Sequence, residues 1–254
     1  MRTLFAAKQI HIGLHPQVHL LGLTIDTDIV MATLVAAAIY LYMGFWLARK
    51  GTAGVPGKFQ TAYEWILEQV TEVADSAIGP ESRRFVPVGM TLFFFILICN
   101  WLDFIPTAMH PGVSEPILPA PTSDVNLPLA MAVFVIIWVH VESLRARKVK
   151  GYIKHYFQPF KAMGPINAIE EFTKPITMTF RLFGNLFSGG LMVVVMVVLL
   201  PFFTYVPFQI GWELFDTGLL GLVQAFIFML LTIIYFGMAM SHDEAPVGQL
   251  ELSH

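Results

Sequence analysis

From residue 29 to residue 48 the chain carries no charged side chain, and a helix over that run is long enough to cross ~30 Å of hydrocarbon. In lipid such a segment must satisfy its own backbone N–H and C=O groups, which a single stretch achieves only as a helix. Apolar runs of similar kind recur at 85–104 and 125–145. Composition agrees: 56% of the 254 residues are hydrophobic and 13% charged, where a soluble domain has ~25% charged. The expected fold class is an all-α, multi-pass membrane protein, with an external tail (1–28) ahead of one membrane domain (29–254).

The few charges mark topology. Arg49 and Lys50 close the first run, Arg83 and Arg84 precede the second, and Arg145, Arg147, Lys148 and Lys150 follow the third. The loop from 107 to 124 has no Lys or Arg. By the positive-inside rule these flanks agree on an N-terminus outside and a cytoplasmic C-terminus. A net charge of −3, with basic residues confined to span ends, excludes a nucleic-acid-binding face. The single Cys99 sits in an apolar run and reads as an inert buried thiol. The first residues lack an apolar core with a small-residue cleavage site, so a retained tail is expected rather than a signal peptide. Between the first two spans, 59–78 places Tyr63, Ile66, Leu67, Val70 and Val73 or Ala74 on one side of a helix too polar to span. It is expected at the cytoplasmic surface, on lipid or on a protein neighbour.

Two further segments, 165–200 and 208–242, are too long for an upright crossing. A helix over the first would measure ~54 Å, so both must tilt or be covered by protein. Pro201 and Pro207 are expected to bound the turn of an antiparallel hairpin. At 100° per residue, Asn167, Glu170, Lys174, Thr177, Arg181, Asn185 and Ser188 fall within about 40° of one direction. Glu213, Thr217, Gln224 and Tyr235 align to within about 20° on the second helix, with Asp216 to one side. Polar stripes at membrane depth face a bundle interior or a wet cavity. Arg181 is the only charge between Pro175 and Phe203, and a cation there costs ~2.5–3.5 kcal/mol on insertion scales. Either it snorkels, since Pro175 is only ~9 Å away along the helix, or it has a function.

KPITMTFRLFGNLFSGG followed by LVQAFIFMLLTIIYFGMAMSHDE resembles the C-terminal hairpin of the subunit a family of F-type (F1Fo) ATP synthases. CNWLDFIP and SDVN extend the resemblance to that family's second and third spans. The resemblance implies five membrane helices and a non-catalytic, proton-translocating role in the Fo sector of a plasma-membrane complex. It also implies partners: a ring of c subunits each bearing one buried carboxyl, the b-subunit peripheral stalk, other F1Fo subunits and the transported proton. No cofactor or metal is implied. Arg181 matches the family's essential arginine. A carboxyl in apolar surroundings stays protonated, whereas at ~4 Å from a guanidinium and an effective dielectric of 20 its ionised form gains ~4 kcal/mol. Arginine never becomes neutral, so it cannot pass a proton between the two half-channels it separates. Asn185, Gln224 and Tyr235 match places around the arginine, Ser188 continues the same stripe, and Asn100 and Asp103 match a pair bordering the outer half-channel. Asn100 is equally readable as a polar residue at a helix end.

The chain departs from the family pattern at three places. Gly190 stands where many members have Glu, Thr217 where many have His or Glu, and Asn167 where an acid is expected. Glu213 and Asp216 are expected to replace the outer relay, and Glu170, one turn beyond Asn167, to serve the cytoplasmic half-channel. Glu171, about 80° away, reads as a headgroup-level charge. His140 and Glu142 read as interfacial anchors, with an extension of the inner channel as the alternative. His11, His15 and His19 have the spacing of helical metal ligands, but Pro16 interrupts the helix. GTAGVPGKF has neither the spacing nor the magnesium hydroxyl of a phosphate-binding loop. Gly184, Gly189 and Gly190 permit close helix approach. A self-contained ion channel or transporter is the rival class, although no internal repeat is evident; a membrane hydrolase lacks its nucleophile and base.

Overall fold

The computed structural model describes residues 17–20, 23–52, 54–104, 120–156 and 163–240. They are helical, as expected, apart from a short antiparallel hairpin, β1 (Gln17–Leu20) with β2 (Leu23–Asp26), in the segment read as a tail. His19 pairs with Thr24 in that hairpin, while His11 and His15 lie outside the described residues.

The helices are α1 (Thr27–Lys50), α2 (Lys58–Ile78), α3 (Val86–Trp101), α4 (Asn126–Tyr156), α5 (Met163–Leu199), α6 (Phe202–Glu213) and α7 (Gly221–Met240). A π-helical segment, Leu214–Leu220, joins α6 to α7. Thr27–Lys50, Asn126–Ala146 and Val206–Met240 are long and apolar enough to cross a membrane, and Val86–Trp101 is a shorter apolar helix.

The apolar stretch Asn126–Ala146, where a span was expected over 125–145, is the first part of α4, which continues to Tyr156 with no proline in that continuation. Two expectations are corrected. Pro207 lies inside α6, and only Pro201 caps it, so the turn is shorter than the two prolines suggested. Finally, 208–242 is not one regular α-helix. A π turn takes an additional residue, which rotates everything after it by roughly one residue step of about 100° and breaks the 20° alignment drawn at constant pitch. Residues 241 and 242 lie outside the described residues.

The chain divides into two compact units, each assembled from distant segments. One comprises Met1–Lys50, Phe94–Leu127 and Leu182–Gln224. Here α1 buries only Ile29, Ala32 and Ala36, the last against Cys99 and Leu102, with Val35, Phe95, Ile98 and Leu127 around them. The rest of α1 presents Met31, Leu34, Leu41, Tyr42 and Phe45 outward, the surface of a lipid-facing helix. Its last turn carries Arg49 and Lys50, which complement the helix dipole, and Arg49 lies 4.1 Å above the Phe45 ring.

The other unit comprises Gly51–Phe93, Pro128–Arg181 and Ala225–His254. In it α2 runs between Gly57 and Gly79, whose φ of 80° is the left-handed turn that glycine adopts without penalty. The face predicted from spacing is the buried one: Val70 and Ala74 are fully covered. Gly89 on α3 lets Val70, Met229 and Ile233 close in, and Gly237 lets α7 meet the Ala77 carbonyl. The amphipathic helix therefore packs on protein. Phe236 completes this core, 4.5 Å from Phe85 and edge-on to Trp138 at 6.0 Å.

Candidate functional site

The first polar cluster belongs to the second unit. On α5 Met178 is buried, whereas Glu170, Thr177 and Arg181 are exposed. Phe180 is exposed beside the arginine. Arg181 thus projects from an exposed face of α5, and among the described residues it forms no salt bridge. The Tyr235 hydroxyl on α7 lies within electrostatic reach of Arg181, Glu171 and Glu170, so of the residues expected around the arginine the second unit brings Tyr235 toward it.

Glu171, expected as a headgroup-level charge, is half-buried. It accepts from Lys174 Nζ at 2.6 Å and approaches His140 Nε2 at 3.8 Å. Lys174 in turn stands 5.3 Å from the centre of the Tyr235 ring. A 100° wheel puts Glu171 on the buried side of α5, which is why a partner meets it there. His140, read as an interfacial anchor, joins α4 to this cluster.

The second cluster belongs to the first unit. Asp216 and Thr217 are buried within the π segment, and Glu213 is half-buried within electrostatic range of Asp216. The Asp216 carboxyl lies directly over Gly189 of α5: a Cβ there would overlap one carboxylate oxygen and stand 2.7 Å from Cγ. Gly189, read as permitting close helix approach, thus makes the seat of this acid. Constant-pitch placement could not find this, because the pairing with Gly189 is tertiary.

Asn100 is completely buried, with its amide engaged at both ends. Nδ2 donates to the Gly221 carbonyl at 3.0 Å, and Oδ1 accepts from the Thr122 hydroxyl at 2.8 Å. Gln224 is buried, and Ser188 donates its hydroxyl to the Asn185 carbonyl at 2.9 Å. Asn185 has a buried Nδ2 with no hydrogen-bond partner among the described residues. Asp103 falls in the 3-10 turn Leu102–Phe104, and its side chain lies outside the described residues. Among the described residues no group of His, Cys, Asp and Glu is arranged to hold a metal.

Chemically, each cluster offers titratable groups beside neutral hydrogen-bonding ones, a combination suited to proton handling. Residues 29–237 match the family model described as ATP synthase A chain. A protein of Acidothermus cellulolyticus named ATP synthase subunit a is 41% identical over 92% of this chain and 84% of its own length. Proteins of the same name from Mycobacterium marinum and Mycobacterium tuberculosis are 41% and 39% identical, covering 94% and 96% of this chain and 96% and 99% of their own.

Proposed function

The chain belongs to the ATP synthase A chain family, and from that membership we propose that it is the static half of a proton-driven rotor, with Arg181 facing the carboxyls of a c-subunit ring. The observation that carries this reading is the arginine itself, exposed on α5 with no salt bridge among the described residues. An unpaired guanidinium at membrane depth costs several kcal/mol, and a passing carboxylate would offset that cost. The attraction, ~4 kcal/mol at 4 Å and an effective dielectric of 20, forces each arriving acid to give up its proton.

Two half-channels follow from the two polar clusters. Protons enter beside Asp103, Asn100, Glu213 and Asp216, load the ring carboxyl, travel round with it, and leave past Glu170 and Tyr235 on the cytoplasmic side. Asn185, Gln224 and Ser188 hold water and the guanidinium between them. The five spans are α1, α3, α4, α5 and the α6–α7 run, with the N-terminus outside and α2 at the cytoplasmic surface beside the b-subunit stalk. Each proton that crosses supplies ~2.3 kcal/mol per 100 mV of potential.

The test is Arg181→Ala in membranes that contain the assembled complex. ATP-driven proton pumping should be abolished while the subunit is retained. Pumping near the wild-type rate rules the assignment out.

A further inference from the structure

Glu142 on α4 is 3% exposed, yet three donors converge on its Oε1: Arg84 Nη2 at 3.0 Å, Arg145 Nη1 at 2.9 Å and Trp138 Nε1 at 3.3 Å. The two arginine side chains are 58% and 65% exposed. One buried carboxylate oxygen therefore holds two outward guanidiniums side by side, from the turn preceding α3 and from the end of the Asn126–Ala146 span. Alone, two cations at that separation repel. With the glutamate between them they are fixed as a fork of net charge +1.

From this geometry we infer that Arg84 and Arg145, clamped by Glu142, form a binding site for the phosphodiester of an anionic glycerophospholipid. A guanidinium has five N–H donors, and the clamp uses one from each arginine, so most remain free to bind phosphate oxygens bidentately. The charge matches, because one phosphodiester neutralises the surplus. The depth also matches: Arg84 immediately precedes an apolar helix and Arg145 ends an apolar span, which puts both at headgroup level. Trp138, an amphipathic ring suited to the interface, braces the carboxylate from the same helix. The carboxylate explains why the arginines are held at all, since free surface arginines would sample many rotamers and bind lipid only diffusely.

The test uses the assembled complex in nanodiscs of phosphatidylcholine with a minor fraction of photoactivatable phosphatidylglycerol, reading labelled peptides around residues 84 and 145. Labelling should fall about fivefold in Arg84→Gln and about thirtyfold in Arg84→Gln with Arg145→Gln. Glu142→Gln raises the local charge but dissolves the fork. A built site predicts lower labelling there, and diffuse attraction predicts higher, so labelling at or above wild type overturns the proposal. Should that variant fail to assemble, Arg84→Lys with Arg145→Lys decides: loss of labelling with charge kept supports the fork, and wild-type labelling refutes it. A phosphatidylcholine photolabel should mark these peptides far less, and equal marking refutes specificity. Displacement by inorganic phosphate would assign the site to soluble phosphate and sink the lipid assignment.

Discussion

Adding one methyl group at Gly189 tests whether Asp216 belongs to the outer proton path. The alanine Cβ would overlap a carboxylate oxygen of Asp216 and sit 2.7 Å from its Cγ. Ordinary non-bonded contacts lie at about 3.5–4.0 Å, so the carboxyl must retreat by about 1 Å. Proton transfer requires heavy atoms within about 2.6–3.2 Å, directly or through one water, and a misplacement of 1 Å in a reacting array costs up to about 100-fold. The overpacking itself should cost only about 1–3 kcal/mol, small enough for the complex to assemble. Passive proton flow through membranes stripped of the peripheral ATPase sector should therefore fall by about one to two orders of magnitude in Gly189→Ala. Gly190→Ala is the control, because nothing lies within 4 Å of its Cβ. Moving the acid across, by Gly189→Asp with Asp216→Gly, should restore part of the flow. The reasoning fails if Gly189→Ala and Gly190→Ala membranes, matched for complex content, leak protons equally.

Glu213→Gln with Asp216→Asn should slow the same passive flow without lowering complex content, and unchanged flow would remove both acids from the path. Asn100→Leu should leave the Thr122 hydroxyl and the Gly221 carbonyl without their partner, at about 1–3 kcal/mol each, seen as a lowered melting temperature of the purified complex. A melting temperature equal to wild type would show that those groups find other partners.

The architecture was legible where a property of consecutive residues decides it. Residues 29–48 could only be a helix in lipid, and α1 runs Thr27–Lys50. Spacing alone chose the buried face of α2, since Val70 and Ala74 recur at helical period. Arg181 stood out because a charge in an apolar run is conspicuous in any fold, and the constant pitch of α5 carried it to an outward face.

The departures share one cause, which is that a partner distant in the chain overrides a local rule. Glu171 gains His140 from α4 and Glu142 gains Arg84 from before α3, partners that no local spacing could name. Asp216 is the sharpest case. The sequence, through its resemblance to a family, raised the expectation that Glu213 and Asp216 stand in for the groups missing at Gly190 and Thr217. That Asp216 sits against Gly189 was decided by the absence of a side chain at residue 189, a fit that exists only once α5 and the π segment are packed together.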